Sequence, residues 1–498
     1  MIHFRPGGFR PLALCLVVTG FALLSSSHAS AQCAGVPTST TGNVTWTAQW
    51  CDEFNGALNS PINSANWTFD TGSSGFGNNE LEFYCDPSSN TTPCNSNTPN
   101  AYIDGGGHLA IQVRGPAGNC TPAGTCTSAR LNGSGGRQAF HAGRIEASLQ
   151  VPSNVGLWPA FWMLGSQSGV SWPTVGETDI MENWPKTSTI NGPGATGNCS
   201  TIHTTITAGS GKGKCFTFPS GQQIDTAFHT YGQIWSANMI QYYIDDPNNP
   251  YFVVTASDLP AGDTWPFSSA ANPFFIIVNV ALGGTLGNPT DNTTSAPNPM
   301  LVDYVRQYVP SAVAAPQMTP NGNITITAGA TTGTTTTIDM LGTVGSGRVT
   351  FSCTTNAPKA SCVVTSSDSV NNHTVDFTSS GAASPTVTVT TTANTSSSVF
   401  ARLKWAAGLA IFAVAFVLLP PYKRMSRFRT RVGLVCVLMA LGLWVACGGG
   451  GSSSSTSSGG SSNGTTPGSY TVTVNAYTVS STDAATPSAS TTINLTVH

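Results

Sequence analysis

Three acidic side chains, Glu177, Asp179 and Glu182, fall within six positions of a chain that is poor in acidic residues, with 22 in 498. The residues around them are apolar or β-branched, which is typical of a β-strand. On a regular strand Glu177 and Asp179 share one face, whereas Glu182 points to the other. One extra residue at Ile180–Met181, a β-bulge, would return Glu182 to the first face. We therefore predict a bulged strand with three carboxylates on one surface.

Carboxylates at such close spacing repel each other, so the pKa of at least one of them rises. One group then stays protonated while another is ionised, and such a pair about 5–5.5 Å apart is the catalytic equipment of a retaining glycosidase. Two simpler interpretations also fit the spacing: a solvated edge strand, or a set of calcium ligands. The cluster alone leaves these three possibilities open.

Composition limits the class of protein. Charged residues make up 8% of the chain and the net charge is −3, so no nucleic-acid partner is expected. Gly, Ser, Thr and Asn are abundant, which predicts a mostly β structure. The length of 498 residues allows two to four domains.

The N-terminus and the cysteines both indicate export. Residues 1–31 have the pattern of a secretory signal, with an apolar run from Leu12 to Leu24 and an Ala-Ser-Ala cleavage site at 29–31. The 13 cysteines form no metal-type C-x-x-C pairs, and their close spacing predicts local disulfides in an oxidising compartment. The pairs we expect are Cys33/Cys51, Cys85/Cys94, Cys120/Cys126, Cys199/Cys215 and Cys353/Cys362.

The segment 32–310 is rich in aromatic residues and short strand patterns, which suggests one β-sandwich. Residues 144–151 alternate strictly, so we expect an apolar face against a core and a polar face toward a cleft or solvent. Residues 274–282 are nearly all apolar, as in a strand that is covered on both sides.

Four tryptophans surround the acidic cluster: Trp158, Trp162, Trp172 and Trp184. Flat aromatic faces can stack on the C–H faces of sugar rings, and they can equally fill a core. We interpret Trp162, which lies in an apolar run, as a core residue. Trp158 and Trp184 are candidates for sugar contacts.

Over about residues 45–310 the chain resembles the laminarinase-like branch of glycoside hydrolase family 16. The resemblance rests on the order and spacing of seven blocks: CDEFNG (51–56), GFGNNELEFY (75–84), GRIEASLQVP (143–152), GLWPAFWMLG (156–165), GETDIMEN (176–183), FHTYGQIW (228–235) and LVDYVRQY (301–308). It implies a jelly roll of two curved antiparallel sheets with a cleft on the concave face.

The resemblance also implies roles for single residues. Glu177 is the implied nucleophile, Glu182 the general acid/base, and Asp179 the carboxylate between them. His203 is similar to a family histidine on the strand beside the catalytic strand, and Glu146 is similar to a substrate-contacting residue. No redox or organic cofactor is implied. Asp303 and the pair Asp52-Glu53 resemble positions near a structural calcium site, so Ca²⁺ is a possible ligand there.

Beyond residue 310 the composition changes to a pattern rich in Thr, Ser and Val. Two apolar segments within 401–447 flank a basic stretch, which predicts a two-helix membrane hairpin. The C-terminal strand pattern needs partners, so we expect it to complete the preceding domain. The predicted organisation is a linker at 311–322, an Ig-like β domain at 323–400, the hairpin at 401–447, a Gly/Ser linker at 448–468, and C-terminal strands at 469–498 that complete the Ig-like domain.

These observations together predict an all-β exported protein that is secreted or anchored in the cell envelope and cleaves β-glucan, with β-1,3-glucan as first choice. A transglycosylase, or a hydrolase of another β-linked polysaccharide, would use the same carboxylates. A non-catalytic glycan-binding adhesion protein would keep the tryptophans without needing the acids.

Overall fold

The structure is a computed structural model that describes residues 33–393 and 464–498, apart from residues 75, 116–119, 121–124, 188–190, 208–210, 237, 288–297, 379 and 480–486. The predicted signal at 1–31 and the predicted membrane hairpin at 401–447 lie outside the described residues. Within the described part of the chain, no helix has the length and apolar character needed to cross a membrane.

Up to residue 310, the described residues form 18 strands and little helix. The strands are β1 Ser39–Thr41, β2 Val44–Asp52, β3 Thr68–Asp70, β4 Glu82–Tyr84, β5 Ala101–Ile103, β6 Leu109–Ile111, β7 Cys126–Ser128, β8 Arg130–Asn132, β9 Gly143–Gln150, β10 Leu157–Gly165, β11 Glu177–Glu182, β12 Gly197–His203, β13 Lys212–Thr217, β14 His229–Ser236, β15 Met239–Ile244, β16 Phe252–Thr255, β17 Phe274–Leu282 and β18 Met300–Pro310. The helical elements are α1 Gly284–Gly287 and the 3-10 turns Gly194–Thr196, Ala256–Asp258 and Pro266–Ser268.

These strands form a sandwich of two large sheets, which confirms the predicted all-β, jelly-roll-like architecture. The nine-stranded sheet runs β1-β2-β18-β9-β14-β15-β16, with β6 on β18 and β5 on β6. The seven-stranded sheet runs β13-β12-β11-β10-β17-β8-β3, so that β11 is flanked by paired strands on both sides. One apolar core fills the space between the sheets, because alternate residues of each strand point inward. Every residue of β17 is buried, as its apolar sequence predicts.

The prediction for β9 is half right. Its apolar residues lie in the core, but the polar residues Arg144, Glu146 and Ser148 are buried too, so the polar face meets neither a cleft nor solvent. The side chain of Arg144 lies over the rings of Trp46 and Tyr308, at 5.5 and 4.1 Å from their centroids. A second layer of aromatic residues covers this face of the nine-stranded sheet, which is why alternation alone did not reveal the burial.

The second part of the chain forms a separate sandwich of two five-stranded sheets. Its strands are β19 Gln317–Pro320, β20 Ile324–Ile326, β21 Thr334–Leu341, β22 Arg348–Thr355, β23 Ala360–Thr365, β24 Thr374–Asp376, β25 Ala382–Ala383, β26 Thr386–Thr391, β27 Gly468–Tyr477 and β28 Ala489–Val497. One sheet runs β19-β21-β26-β23 with β25 on β21, and the other runs β20-β28-β27-β22-β24. The strands β27 and β28 are far along the chain from the other strands of this sandwich, yet they lie inside one of its sheets. The finer assignment of this sandwich as Ig-like stays a prediction.

The second sandwich packs against the nine-stranded sheet through polar contacts and through an apolar cluster in which Val479 joins Val44 and Trp46. The guanidinium group of Arg348 donates to Gln241 of β15 at 3.3 Å and also binds Asp368 and Asp376. The side-chain amide of Asn371 donates to the carbonyl oxygen of Val253 at 3.0 Å. Since these buried donors find partners across the boundary, the contact fixes how the two sandwiches meet.

All five cysteine pairs expected from spacing are disulfides in the structure: Cys33–Cys51, Cys85–Cys94, Cys120–Cys126, Cys199–Cys215 and Cys353–Cys362. Four of them lie in the first sandwich, and the fifth joins β22 to β23 in the second.

The position of β27 leads to a prediction about stability. Val474 is fully buried in the second core, so Val474→Thr would place a hydroxyl group there without changing the side-chain volume. We expect a loss of about 1–3 kcal/mol in the free energy of unfolding of this sandwich, measured by chemical denaturation. The matched control Thr471→Val, on the exposed face of the same strand, should change stability by no more than about 0.5 kcal/mol. Equal effects of the two variants would contradict the central placement of β27.

Candidate active site

The predicted β-bulge is present in β11. Asp179 pairs with Trp162 of β10, and Met181 pairs with the preceding residue Phe161, so Ile180 is the extra residue. The pairing with β12 shifts over the same stretch, between Asp179 and Glu182. Ile180 and Met181 both lie in the core, and this places Glu182 on the opposite face, together with Glu177 and Asp179.

The two faces of β11 have separate surroundings. The inward-facing hydroxyl of Thr178 contacts Gln233 at 2.7 Å and the hydroxyl of Tyr242 at 2.6 Å, both from the opposite sheet. The other face, which carries the three carboxyl groups, is called the cleft face below. It includes the neighbouring side chains of Trp158 and His203.

His203 of β12 lies directly opposite Glu177 in the strand register. Its Nε2 atom is 3.2 Å from Oδ2 of Asp179 and 3.8 Å from Oε1 of Glu177. The imidazole therefore offers positive charge or a proton to two of the three carboxyl groups. The structure brings this sequence-predicted residue into the cluster.

Burial and mutual repulsion dominate the electrostatics of the cluster. Burial, followed by the charge of Asp179, raises the pKa of Glu177 to about 8, against the opposing effects of His203, Trp172 and Arg130. The same two causes raise the pKa of Glu182 well above its ordinary value, and there only a hydrogen bond from Trp158 and the charge of His203 oppose them. Both glutamates are thus easier to protonate than an exposed carboxyl group.

The tryptophans divide into different roles. The indole N–H of Trp158 donates to Oε1 of Glu182 at 3.0 Å. Trp172 hydrogen-bonds Glu177, and its side chain is 49% exposed at the edge of the site. Trp162 donates to Asn279 of β17 at 2.8 Å and is only partly buried, so it is not the plain core residue that its apolar context predicts. Trp184 is partly exposed just after β11.

The cleft face continues across β10, β17 and β8 as a chain of polar contacts. Arg130 of β8 lies over the ring of Trp162, 4.8 Å from its centroid, and donates to Asp70 at 2.9 Å. Asn279 donates to the hydroxyl of Tyr84 at 3.1 Å. This floor is polar and aromatic, which suits a ligand that offers both hydroxyl groups and C–H faces.

Glu146, for which the resemblance implies a substrate contact, is not part of this site. It belongs to β9 of the other sheet, where it is buried and accepts a hydrogen bond from Tyr243 at 2.6 Å. Arg144 lies 3.3 Å from the same carboxylate oxygen. The geometry therefore gives Glu146 a structural environment and does not place it near the carboxyl cluster.

The carboxyl groups of Asp52 and Glu53 both have partners within the protein. The carboxylate of Asp52 accepts bonds from Asn66, Trp67 and the backbone of Phe54. Arg306 binds Glu53 through two nitrogens, at 2.8 and 2.6 Å. A calcium ion near Asp52 and Glu53 stays a prediction.

Across the residues that the structure describes, one group of three side chains is close enough to hold a metal ion: Glu177, Asp179 and His203, with donor atoms within 4.8 Å. This group coincides with the carboxyl cluster. Asp303 is not a member of it, and a calcium ion at Asp303 stays a prediction.

The sequence pattern placed Trp172 near the acidic cluster without indicating a role for it, and it did not indicate Arg130. Trp172 lies five positions before Glu177, but a loop residue has no strand register that predicts its direction. Arg130 and Asn132 alternate with the core residue Leu131, and this short pattern was a signal for a polar strand face.

A second pair of glutamates, Glu80 and Glu82, lies beside the cleft. Glu82 is buried, and it accepts the backbone N–H of Leu282 at 2.6 Å. Burial, followed by the charge of Glu80, raises the pKa of Glu82 well above its ordinary value, and its protonated form hydrogen-bonds Glu80. Glu80 in turn accepts a bond from the hydroxyl of Tyr84 at 3.0 Å, which links the pair to the polar floor.

The raised pKa of Glu82 predicts that Glu82→Gln increases thermal stability by an amount that depends on pH. The folded protein favours the protonated form, so stability is complete below pH 4.5 and declines as the pH rises toward the folded-state pKa. Glutamine keeps an acceptor and a donor without this loss. We expect equal melting temperatures near pH 4 and an advantage of about 2–4 °C for Glu82→Gln at pH 8, measured by calorimetry.

The control Glu82→Leu leaves the N–H of Leu282 without its partner, so its melting temperature should be lower at every pH. A pH-independent difference between wild type and Glu82→Gln would show that Glu82 is ionised in the fold.

Comparison with known proteins places this geometry in a family. Residues 87–305 match the profile described as glycosyl hydrolases family 16. A beta-glucanase of Rhodothermus marinus is 32% identical over 274 residues, which cover 53% of this chain and 85% of the relative. A glucan endo-1,3-beta-glucosidase of Cryptopygus antarcticus is 31% identical over 279 residues, which cover 53% of this chain and 92% of the relative.

Among solved structures, an endo-beta-1,3-glucanase of Pyrococcus furiosus has 34% sequence identity and a TM-score of 0.46, and the match covers 56% of this chain and 100% of that chain. The sequence matches extend over most of the length of the two curated relatives. The chain therefore belongs to glycosyl hydrolases family 16 and is a glycoside hydrolase.

Proposed function

We propose that this chain is an exported, retaining endo-glycosidase that cleaves β-1,3-glucan. The observation that carries the proposal is the bulge at Ile180, which gathers Glu177, Asp179 and Glu182 on one face of β11. Two neighbouring glutamates with raised pKa values can share a proton, which supplies both an acid and a nucleophile at neutral pH.

The surroundings of the two glutamates support different roles. Glu177 has His203 beside it and receives a hydrogen bond from Trp172, and both favour its ionised form. Glu182 has fewer opposing contacts and lies near two other carboxyl groups, so it holds the shared proton more firmly. Glu177 is therefore the nucleophile and Glu182 the general acid.

The reaction then has two displacements. Glu182 donates its proton to the glycosidic oxygen while the carboxylate of Glu177 attacks the anomeric carbon and forms a glycosyl–enzyme ester. The aglycone leaves, and the ionised Glu182 accepts a proton from a water molecule that attacks the same carbon. The second displacement breaks the ester bond to Glu177 and restores the original configuration.

Asp179 and His203 influence the protonation of the two glutamates. Asp179 lies between the two glutamates on the cleft face, and its charge raises the pKa of both. The contact of 3.2 Å between Asp179 and His203 places an opposing charge or proton donor beside it. The pair thereby tunes how firmly the protons are held without taking part in bond cleavage.

The choice of substrate rests on the relatives and on the cleft. The relatives from Rhodothermus marinus and Cryptopygus antarcticus are described as a beta-glucanase and a glucan endo-1,3-beta-glucosidase. Trp172 and Trp184 lie beside the carboxyl cluster, where their rings can stack on glucosyl units. Trp158, a predicted sugar contact, is buried and binds Glu182 through its indole N–H.

Export is supported by the disulfides. Five pairs link ten cysteines between positions 33 and 362, and such bonds form and persist in oxidising compartments. The signal pattern at 1–31 agrees with this location.

The two catalytic assignments are tested by isosteric variants. Glu177→Gln should lower glucan hydrolysis by about three orders of magnitude or more, and azide should restore cleavage of an aryl glycoside with an inverted glycosyl azide as product. Glu182→Gln should lose hydrolysis of glucan but keep the first step on an activated aryl glycoside, because such a leaving group needs no acid.

The matched control for these variants is Glu146→Gln, a buried glutamate on the other sheet. Its rate should stay within about twofold of wild type, as expected for a residue away from the cluster. Normal activity in Glu177→Gln would refute the assignment.

The substrate class is tested by a product profile. Laminarin should be cut internally, and the first-formed reducing end, observed by proton NMR, should have the β configuration. Mixed-linkage glucan, agarose and carrageenan are the comparison substrates. An α-configured first product would refute retention, and cleavage of agarose or carrageenan without cleavage of laminarin would refute the glucan assignment.

A further inference from the structure

The disulfide Cys199–Cys215 lies on the cleft face beside Glu182. Glu182 pairs with Cys199 in the register of β11 and β12, and Cys199 pairs with Cys215 in the register of β12 and β13. Residues directly opposite each other in an antiparallel ladder point to the same side of the sheet. The residue next to Cys199, Ser200, instead donates to the carbonyl oxygen of Ile180, on the inner side.

The disulfide also secures an edge strand. β13 pairs with β12 alone, and Cys215 is exposed whereas Cys199 is buried. On the inner side of β13, Phe216 packs against Phe218 and Tyr251. The cross-link is therefore the contact that fixes the cleft side of this edge, where the neighbouring residue is Gly213.

Glu182 is held between two neighbouring strands. On β10 its opposite residue is the small Ala160, and the indole of Trp158 reaches the carboxyl group from that side. On β12 its opposite residue is Cys199, whose side chain is immobilised by the bond to Cys215. The carboxyl group thus receives a hydrogen bond from the β10 side, and its neighbour in the register on the β12 side is a disulfide-bonded cysteine.

The charged groups that act on Glu182 lie elsewhere. Asp179 and Glu177 share its strand, and His203 acts from β12. The lysines of β13, Lys212 and Lys214, pair with Ile202 and Ser200 and so lie on the opposite side of the sheet from the cleft. Neither lysine of β13 therefore lies on the cleft face beside Glu182.

We propose that the Cys199–Cys215 disulfide is a positioning element of the active site, which holds the carboxyl group of Glu182 in its proton-donating orientation and keeps water from one side of it. The proposal rests on the assignment of Glu182 as the general acid. A general acid contributes about 10²–10⁴-fold to a rate, so partial loss of its orientation is measurable.

The test compares Cys199→Ala/Cys215→Ala with wild type and with Cys353→Ala/Cys362→Ala, which removes a strand-joining disulfide far from the cleft. We expect kcat on laminarin to fall about tenfold in the first variant. The rate on a dinitrophenyl β-glycoside of a glucan oligosaccharide should stay within about twofold of wild type. Water admitted beside Glu182 lowers the desolvation that raises its pKa, so the basic limb of the kcat/KM profile should move to lower pH. The control variant should show neither change.

Two outcomes would overturn the proposal. Equal losses on laminarin and on the activated glycoside, or a lower melting temperature with an unmoved basic limb, would show that the disulfide is merely structural. If the double variant fails to fold, mild phosphine reduction of the wild type replaces it, since Cys215 is the exposed member among the described disulfides. Mass spectrometry then identifies the bond that was reduced, and the same kinetics are measured.

A readout without catalysis separates this proposal from the proposed function. Carbodiimide modifies protonated carboxyl groups, and mass spectrometry of Glu182 labelling against pH gives its titration midpoint. Removal of the disulfide should lower that midpoint, and an unchanged midpoint would refute the positioning role. Wild type that is inactive on every glucan would refute the proposed function, while the labelling result would still decide the role of the disulfide.

Discussion

The crowding of three carboxyl groups on one face of β11 is the constraint on which the rest of the active site depends. Burial and like charge both oppose their ionisation, and both effects would favour an alternative register with fewer carboxylates on that face. The register is kept by the other face, where Ile180 and Met181 are both inserted into the core. Apolar burial of two large side chains contributes about 3–6 kcal/mol, which favours this register over one that exposes them.

The neighbouring strands β10 and β12 then provide the partners of the carboxyl groups. β12 provides His203 opposite Glu177, and β10 provides the indole N–H of Trp158 to Glu182. Because β11 is flanked on both sides, these groups approach from fixed backbones, and their positions do not depend on mobile loops. The second sandwich contacts the other sheet, where Arg348 binds Gln241 and Asn371 binds Val253.

The parts that the sequence predicted correctly are those with a local signal. The bulge follows from the spacing of Glu177, Asp179 and Glu182, and the five disulfides follow from short separations along the chain. The burial of Glu146 has no local signal, because it depends on Tyr243 from another strand. The same holds for Trp172, whose contact with Glu177 is set by a loop. Contacts between distant segments decide such cases, and a single sequence records them weakly.

The bulge, the disulfide and the tryptophans together control when the proposed general acid releases its proton. A general acid must hold its proton until the glycosidic oxygen arrives, and must then exist as an anion beside another carboxylate. In the proposed role of Glu182 as general acid, its burial serves the first state, whereas the hydrogen bond from Trp158 and the charge of His203 serve the second. A site that was fully solvated would favour only the anion, and one without donors would favour only the acid. The strand architecture allows both, since it supplies an apolar neighbour and a donor from opposite sides of the same carboxyl group.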